Sequence, residues 1–166
     1  MSLQLTVASL VLFPAIAAFA ADKDYTKECF VYPEVIYGHK HSLAMTMDII
    51  QPKKGNRAGI VFVVSGAWHS VMFSPWAAFS SDCAYSAFFD CRVLFDKGYT
   101  VFFVRHGDGS KFTKPEIVDD CRHAIRFIRF VAPRYDVDPD RLGALGASAG
   151  GHLALMLAST SDEGRA

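Results

Sequence analysis

Gly146-Ala147-Ser148-Ala149-Gly150 sets one serine between two glycines, at the spacing G-x-S-x-G. A serine hydroxyl becomes an acyl-transfer nucleophile when a base takes its proton and amide donors hold the oxyanion that develops. The surrounding sequence favours such a site. "RLGAL" before the motif reads as a short strand, and "AGGHLALMLAST" after it reads as a helix. A strand-to-helix turn this sharp lifts the serine clear of the sheet, and side chains two residues away on either side would collide, so glycine is required there. The same turn puts the Ala149 amide at a helix N-terminus, where donors and dipole favour negative charge. A second donor is expected from the loop after the third strand, "VVSGAWHS", where Gly66 and Ala67 are small enough for their amides to approach a substrate oxygen. Trp68, next in that loop, is a candidate wall for an acyl or sugar pocket and equally a candidate apolar anchor at the sheet edge.

Six further elements must position these groups. "FVYPEVIYG" and "LAMTMDIIQP" partly alternate in polarity and read as two strands joined by a turn at "GHKH". "IVFVVSG" and "YTVFFV" are continuous apolar runs, as in strands buried on both faces. "AYSAFFDCRVLFDKG" reads as a helix closed by Gly98, and the aromatic, serine-rich stretch from Ala67 to about Ser81 as a loop over a site. The clearest helix is "KFTKPEIVDDCRHAIRFIRFVAPRY". Thr113 and Glu116 form a capping box, Pro115 sits in the first turn, and Ile117, Cys121, Ala124, Ile125, Ile128 and Val131 share one face. Pro133 stops it. The order strand–strand, then strand–helix three times, predicts an α/β fold with a mostly parallel sheet and helices on both faces.

These segments resemble the α/β-hydrolases of the esterase/lipase type. The likeness is greatest to the group that includes acetyl-xylan and feruloyl esterases and prolyl-oligopeptidase-like hydrolases. "DVDPDRLGALGASAGGHLALMLA" is similar to that group's nucleophile segment, "VFVVSGAWHS" to its oxyanion loop and "DKGYTVFFVRHG" to its fourth strand, and the likeness runs from Phe30 to Ala158. It implies Ser148 as nucleophile and Gly66, Ala67 and Ala149 as oxyanion donors. In the loop, Val64 and Ser65 replace the family's leading His-Gly, and Ala67 replaces its last glycine. The family triad runs Ser, then Asp or Glu, then His in chain order. No histidine follows His152 in this sequence. The expectation is therefore the N-terminal half of an α/β-hydrolase, residues 21–166, without the strands that carry the triad acid and histidine. The serine-bearing strand would then lie at an exposed edge, open to self-association. His152, one turn beyond Ser148, is weighed as a base and as a helix-packing residue.

Composition narrows the function classes. The chain has 166 residues, 51% hydrophobic, and its 17 basic side chains balance 17 acidic ones. Neutrality gives no support for nucleic-acid binding. Residues 1–20 carry no charge and end in Ala18-Phe19-Ala20, which predicts an export signal cleaved before Ala21 and a secreted or periplasmic protein. A membrane anchor is the alternative. The cysteine spacing matches no zinc pattern, so no metal or other cofactor is expected, and Cys83–Cys91 is a candidate disulfide. His39 and His41 are expected at a hairpin tip, His106 and Asp108 in a loop at the ligand-binding edge of the sheet, and Arg122, His123, Arg126 and Arg129 on a solvated helix face. The leading function is hydrolysis of a carboxylic ester, small or on a polysaccharide, with this chain inactive or incomplete alone. The alternatives are part of a prolyl-oligopeptidase-type peptidase and a non-catalytic binding protein.

Overall fold

The computed structural model describes residues 23–80 and 89–159. A single turn of helix, α1 (Tyr25–Glu28), leads into β1 (Cys29–Lys40) and β2 (Leu43–Pro52). There follow β3 (Gly59–Val64), a 3-10 turn (Pro75–Phe79), α2 (Arg92–Asp96), β4 (Thr100–Arg105), α3 (Lys114–Val131), a second 3-10 turn (Ala132–Tyr135), β5 (Leu142–Gly146) and α4 (Ala149–Ser159).

The five strands form one sheet in the order β1-β2-β4-β3-β5. β2 is antiparallel to both neighbours, whereas β3 runs parallel to β4 and β5. Four strands therefore point one way and β2 the other. Alternation along β3 and β4 feeds two cores. Phe62, Val64, Val101 and Phe103 pack with Leu94 and Phe95 of α2 on one face. On the other, Val61, Phe102 and Val104 meet Ala124 and Ile128 of α3, and Val63 meets Ile117, Cys121 and Leu153 of α3 and α4. Burying one such side chain is worth about 1.5–3 kcal/mol, so the continuous apolar runs of β3 and β4 place them in the middle of the sheet. β5 pairs with β3 alone among the described strands, and its Gly143 and Ala144 are exposed.

Several local expectations shift. The first hairpin turns at His41-Ser42, so of "GHKH" only His41 lies in the turn: β1 continues through Lys40, and the two turn residues take left-handed φ values of 48° and 65°. The hairpin-tip histidines are exposed, and no group of three metal-ligating side chains exists among the described residues. The helix expected over "AYSAFFDCRVLFDKG" is α2 alone within the described residues. The Asp90 carboxylate accepts the Arg92 amide at 2.9 Å, and the helix starts only there. It ends as expected: Gly98 has φ 79°, and the amides of Gly98 and Tyr99 return to the carbonyls of Phe95 and Leu94. On α3, the Glu116 carboxylate accepts the Thr113 amide at 2.8 Å, closing the capping box, and the inner face is buried with Ile125 only partly so. The Cys121 thiol lies inside and burial pushes its pKa up to about 12. His123, Arg126 and Arg129 are exposed, while Arg122 is half-buried against Asp119. The N-terminal segment 1–20 and Cys83 lie outside the described residues. No helix among the described residues is long and apolar enough to cross a membrane.

Candidate active site

Ser148 stands at the turn between β5 and α4 with φ 50°, and it is exposed. The turn is as tight as the small residues imply. A Cβ on Gly146 would lie 2.4 Å from the Gly150 backbone, and one on Gly150 would lie 2.5 Å from the Val63 carbonyl oxygen. No real Cβ tolerates such approaches, so both glycines are required by contact. The second contact also seats the turn on the C-terminal end of β3, from which the 65–70 loop departs. Ala149 is the first residue of α4, so its amide has no intrahelical acceptor. The Ser148 carbonyl accepts the His152 amide at 3.0 Å.

The loop after β3 folds into a two-residue turn. Gly66 and His69 exchange both backbone hydrogen bonds, at 3.0 and 2.8 Å, while Ala67 and Trp68 take φ values of 49° and 63°. This geometry divides the two candidate loop donors. The Gly66 amide is committed to the His69 carbonyl, whereas the Ala67 amide has no backbone acceptor among the described residues. A Cβ on Gly66 would meet nothing within 4 Å, so the turn faces open space.

Trp68 is an apolar anchor that also borders open space, on a groove that Ser148 does not line. Its ring packs at the edge of the core formed with Ile117 and Leu153. It also lines an open groove of about 560 Å³ with Ala67, Phe112 and Lys114, whose ammonium stands 4.8 Å above the indole. His152 presents its exposed ring edge-on to Trp68, with centroids 5.9 Å apart, so it meets the loop across the sheet's end. Among the described residues no side-chain hydrogen bond joins the Ser148 hydroxyl to a histidine ring.

His106 lies in the loop just past β4 as expected and is buried there, with Nδ1 2.7 Å from the Gly107 carbonyl oxygen and Nε2 without a partner among the described residues. Burial lowers its pKa from the ordinary histidine value. Asp108 pairs with His69 instead, at 3.1 Å from Nδ1, and also accepts the Ser110 hydroxyl at 2.6 Å. The Ser110 hydroxyl and amide, and then His69, hold its carboxyl well below the usual carboxylate range. The His69–Asp108 pair is the polar feature that sequence spacing could not reveal, since the partners sit on different loops. Two anchors fix this end of β4. Arg105 makes a buried bidentate pair with Asp48, at 2.5 and 2.9 Å, and Asp120 of α3 accepts the Gly107 amide at 2.9 Å.

A protein-family model, BD-FAE, matches residues 47–165, which span the sheet from β2 onward and the Ser148 turn. The chain belongs to the BD-FAE family. Relatives of this BD-FAE chain are esterases. A probable isoprenylcysteine alpha-carbonyl methylesterase of Oryza sativa subsp. japonica is 26% identical over 120 residues, 72% of this chain and 26% of that protein. The chain thus spans about a quarter of the length of the curated relatives it matches. Among solved structures, esterase Est2 of Thermogutta terrifontis is 27% identical with a TM-score of 0.58, over 73% of this chain and 41% of that one. A bacterial heroin esterase shares the fold, with a TM-score of 0.65 at 24% identity, over 87% of this chain and 43% of that one. The BD-FAE chain is an α/β-hydrolase of the esterase type.

Proposed function

We propose that the protein hydrolyses carboxylic esters with Ser148 as the nucleophile. The observation that carries this reading is the exposed serine at φ 50° between two glycines that touch backbone. The Ser148 oxygen attacks the acyl carbon, its proton passes to a base, and the carbonyl oxygen becomes an oxyanion. The amides of Ala149 and Ala67 are the donors for it, and the engaged amide of Gly66 is not. The alcohol leaves with a proton, and water then releases the acid from the acyl-enzyme. The base and its acid come from outside the described residues. An ester on plant polysaccharide is a fitting substrate class for an exported protein of this family, and no metal or organic cofactor takes part. The open edge of β5 is the surface through which the chain would pair with further strands or with another copy.

A fluorophosphonate probe tests the reading. It should label the protein in its full-length context and leave the Ser148→Ala variant unlabelled; equal labelling would remove Ser148 as nucleophile. Residues 21–166 alone should turn over a p-nitrophenyl ester at near-background rate, because loss of a triad member costs several powers of ten.

A further inference from the structure

The Gly66–His69 turn has an unfavourable backbone. Ala67 and Trp68 are consecutive and both left-handed, at φ 49° and 63°. L-residues with a Cβ avoid that region, and such conformations persist only where surrounding structure holds them. The two bonds between Gly66 and His69 close the turn but do not fix it to the rest of the molecule.

Besides the packing of the Trp68 ring on the core, the polar hold comes from the loop after β4, and most of its bonds end on one carboxylate. Asp108 lies 3.1 and 3.2 Å through its two oxygens from His69 Nδ1, and it accepts the Ser70 amide at 3.3 Å. Its own loop is braced by the Ser110 amide at 2.9 Å and the Ser110 hydroxyl at 2.6 Å. The neighbouring Gly109 amide donates to the Trp68 carbonyl at 2.9 Å. A local loop cap would need only the Ser110 bonds. The bonds to His69 and Ser70 reach 39 and 38 residues back along the chain and tie the two loops together. Gly66, Trp68 and His69 are thereby all held by bonds of their own, while the amides of Ala67 and Trp68 have no backbone acceptor among the described residues.

We propose that Asp108 is a positioning residue: it holds the Gly66–His69 turn in the conformation that presents the Ala67 amide to the oxyanion. This rests on Ser148 being the nucleophile. Asp108 touches no reacting atom; it acts through His69 and Ser70. The depressed carboxyl keeps it anionic, and so a full acceptor, through mildly acidic conditions.

Two measurements on the same proteins test it, each in the full-length context that supplies the base: the unmodified protein, Asp108→Ala, Asp108→Asn and Ser110→Ala. The first is amide hydrogen exchange by NMR. In Asp108→Ala the Gly66 and His69 amides should exchange at least tenfold faster, with Phe62 and Phe103 in the central strands unchanged. Equal exchange at Gly66 and His69 would show that Asp108 does not hold the turn, and overturn the proposal. The second is affinity for an arylboronic acid, which forms a tetrahedral adduct with a nucleophilic serine. Asp108→Ala should weaken it at least tenfold, Asp108→Asn less and Ser110→Ala little, while a neutral amide analogue that forms no adduct binds all four alike. If the unmodified protein forms the adduct and Asp108→Ala forms it equally well, the role of Asp108 falls alone. If the unmodified protein forms none, the nucleophile reading has failed and the role at an oxyanion falls with it.

Discussion

Gly150 presses on Val63 so closely that a methyl group on it would lie 2.5 Å from the Val63 carbonyl oxygen. The contact joins the first turn of α4 to the end of β3, and so sets the serine turn beside the loop that carries Ala67. The obstacle is backbone in a central strand, which cannot move aside as a flexible side chain could.

Gly150→Ala should therefore destabilise the fold by about 3 kcal/mol, the upper range for overpacking a tight site. Urea denaturation measures this. The surviving folded protein should also react more slowly with a fluorophosphonate, because relieving the clash tilts the Ser148 turn off β3. A variant as stable and as reactive as the parent would mean that α4 can slide without consequence.

Ala67→Gly should act in the opposite direction. The left-handed φ of 49° at Ala67 costs about 1–2 kcal/mol for a residue with a Cβ. Glycine removes that cost but adds about 0.4–1 kcal/mol of freedom to the unfolded chain. The net expectation is a gain of roughly 0.5–1 kcal/mol in urea denaturation. The amide is retained, so labelling of Ser148 should not fall.

What sequence could show here follows from how local the physics is. The capping box of α3, the Gly98 terminus of α2 and the glycines around Ser148 are dictated within a few residues, and each was legible. The hairpin tip was placed too early in the chain, although the predicted turn included His41, because Gly38 advertises a turn more strongly than Ser42 does. The strand order, with β4 between β2 and β3, is a property of pairing and leaves no mark on either strand's composition. The burial of His106 and the reach of Asp108 to His69 were illegible for the same reason: loop residues gain partners only once strands far apart in the chain end side by side.

His106 gives a prediction about pH. Burial lowers its pKa from 6.5, opposed by the Gly107 carbonyl and by Asp120 and Asp108. A histidine depressed in the folded state is protonated first in the unfolded chain. Its stability contribution is therefore complete above about pH 6.5 and is lost as pH falls below that value, with a slope of at most about 1.4 kcal/mol per pH unit. Urea denaturation at pH 7.5 and 5.5 should show the parent weakening on acidification. His106→Phe should show a smaller loss over the same interval, and an unchanged pH dependence would assign the effect elsewhere.

Asp48 and Arg105 form the most enclosed ion pair of the described residues, with side chains 4% and 10% exposed. Removing one partner leaves a buried charge without compensation, so Asp48→Ala should cost about 3–5 kcal/mol. Replacing both, as Asp48→Leu with Arg105→Met, should cost far less than the sum of the single changes, since the desolvation of two charges disappears together. Recovery should still be incomplete. The Asp48 carboxylate also accepts the Glu34 amide at 2.8 Å, where β1 bulges and Glu34 takes φ 51°. Leucine leaves that amide without an acceptor, a loss of about 1–3 kcal/mol. A double-mutant cycle by urea denaturation should thus give a strong coupling energy and a double variant still less stable than the parent. Additive single effects would mean that the pair is solvated rather than buried.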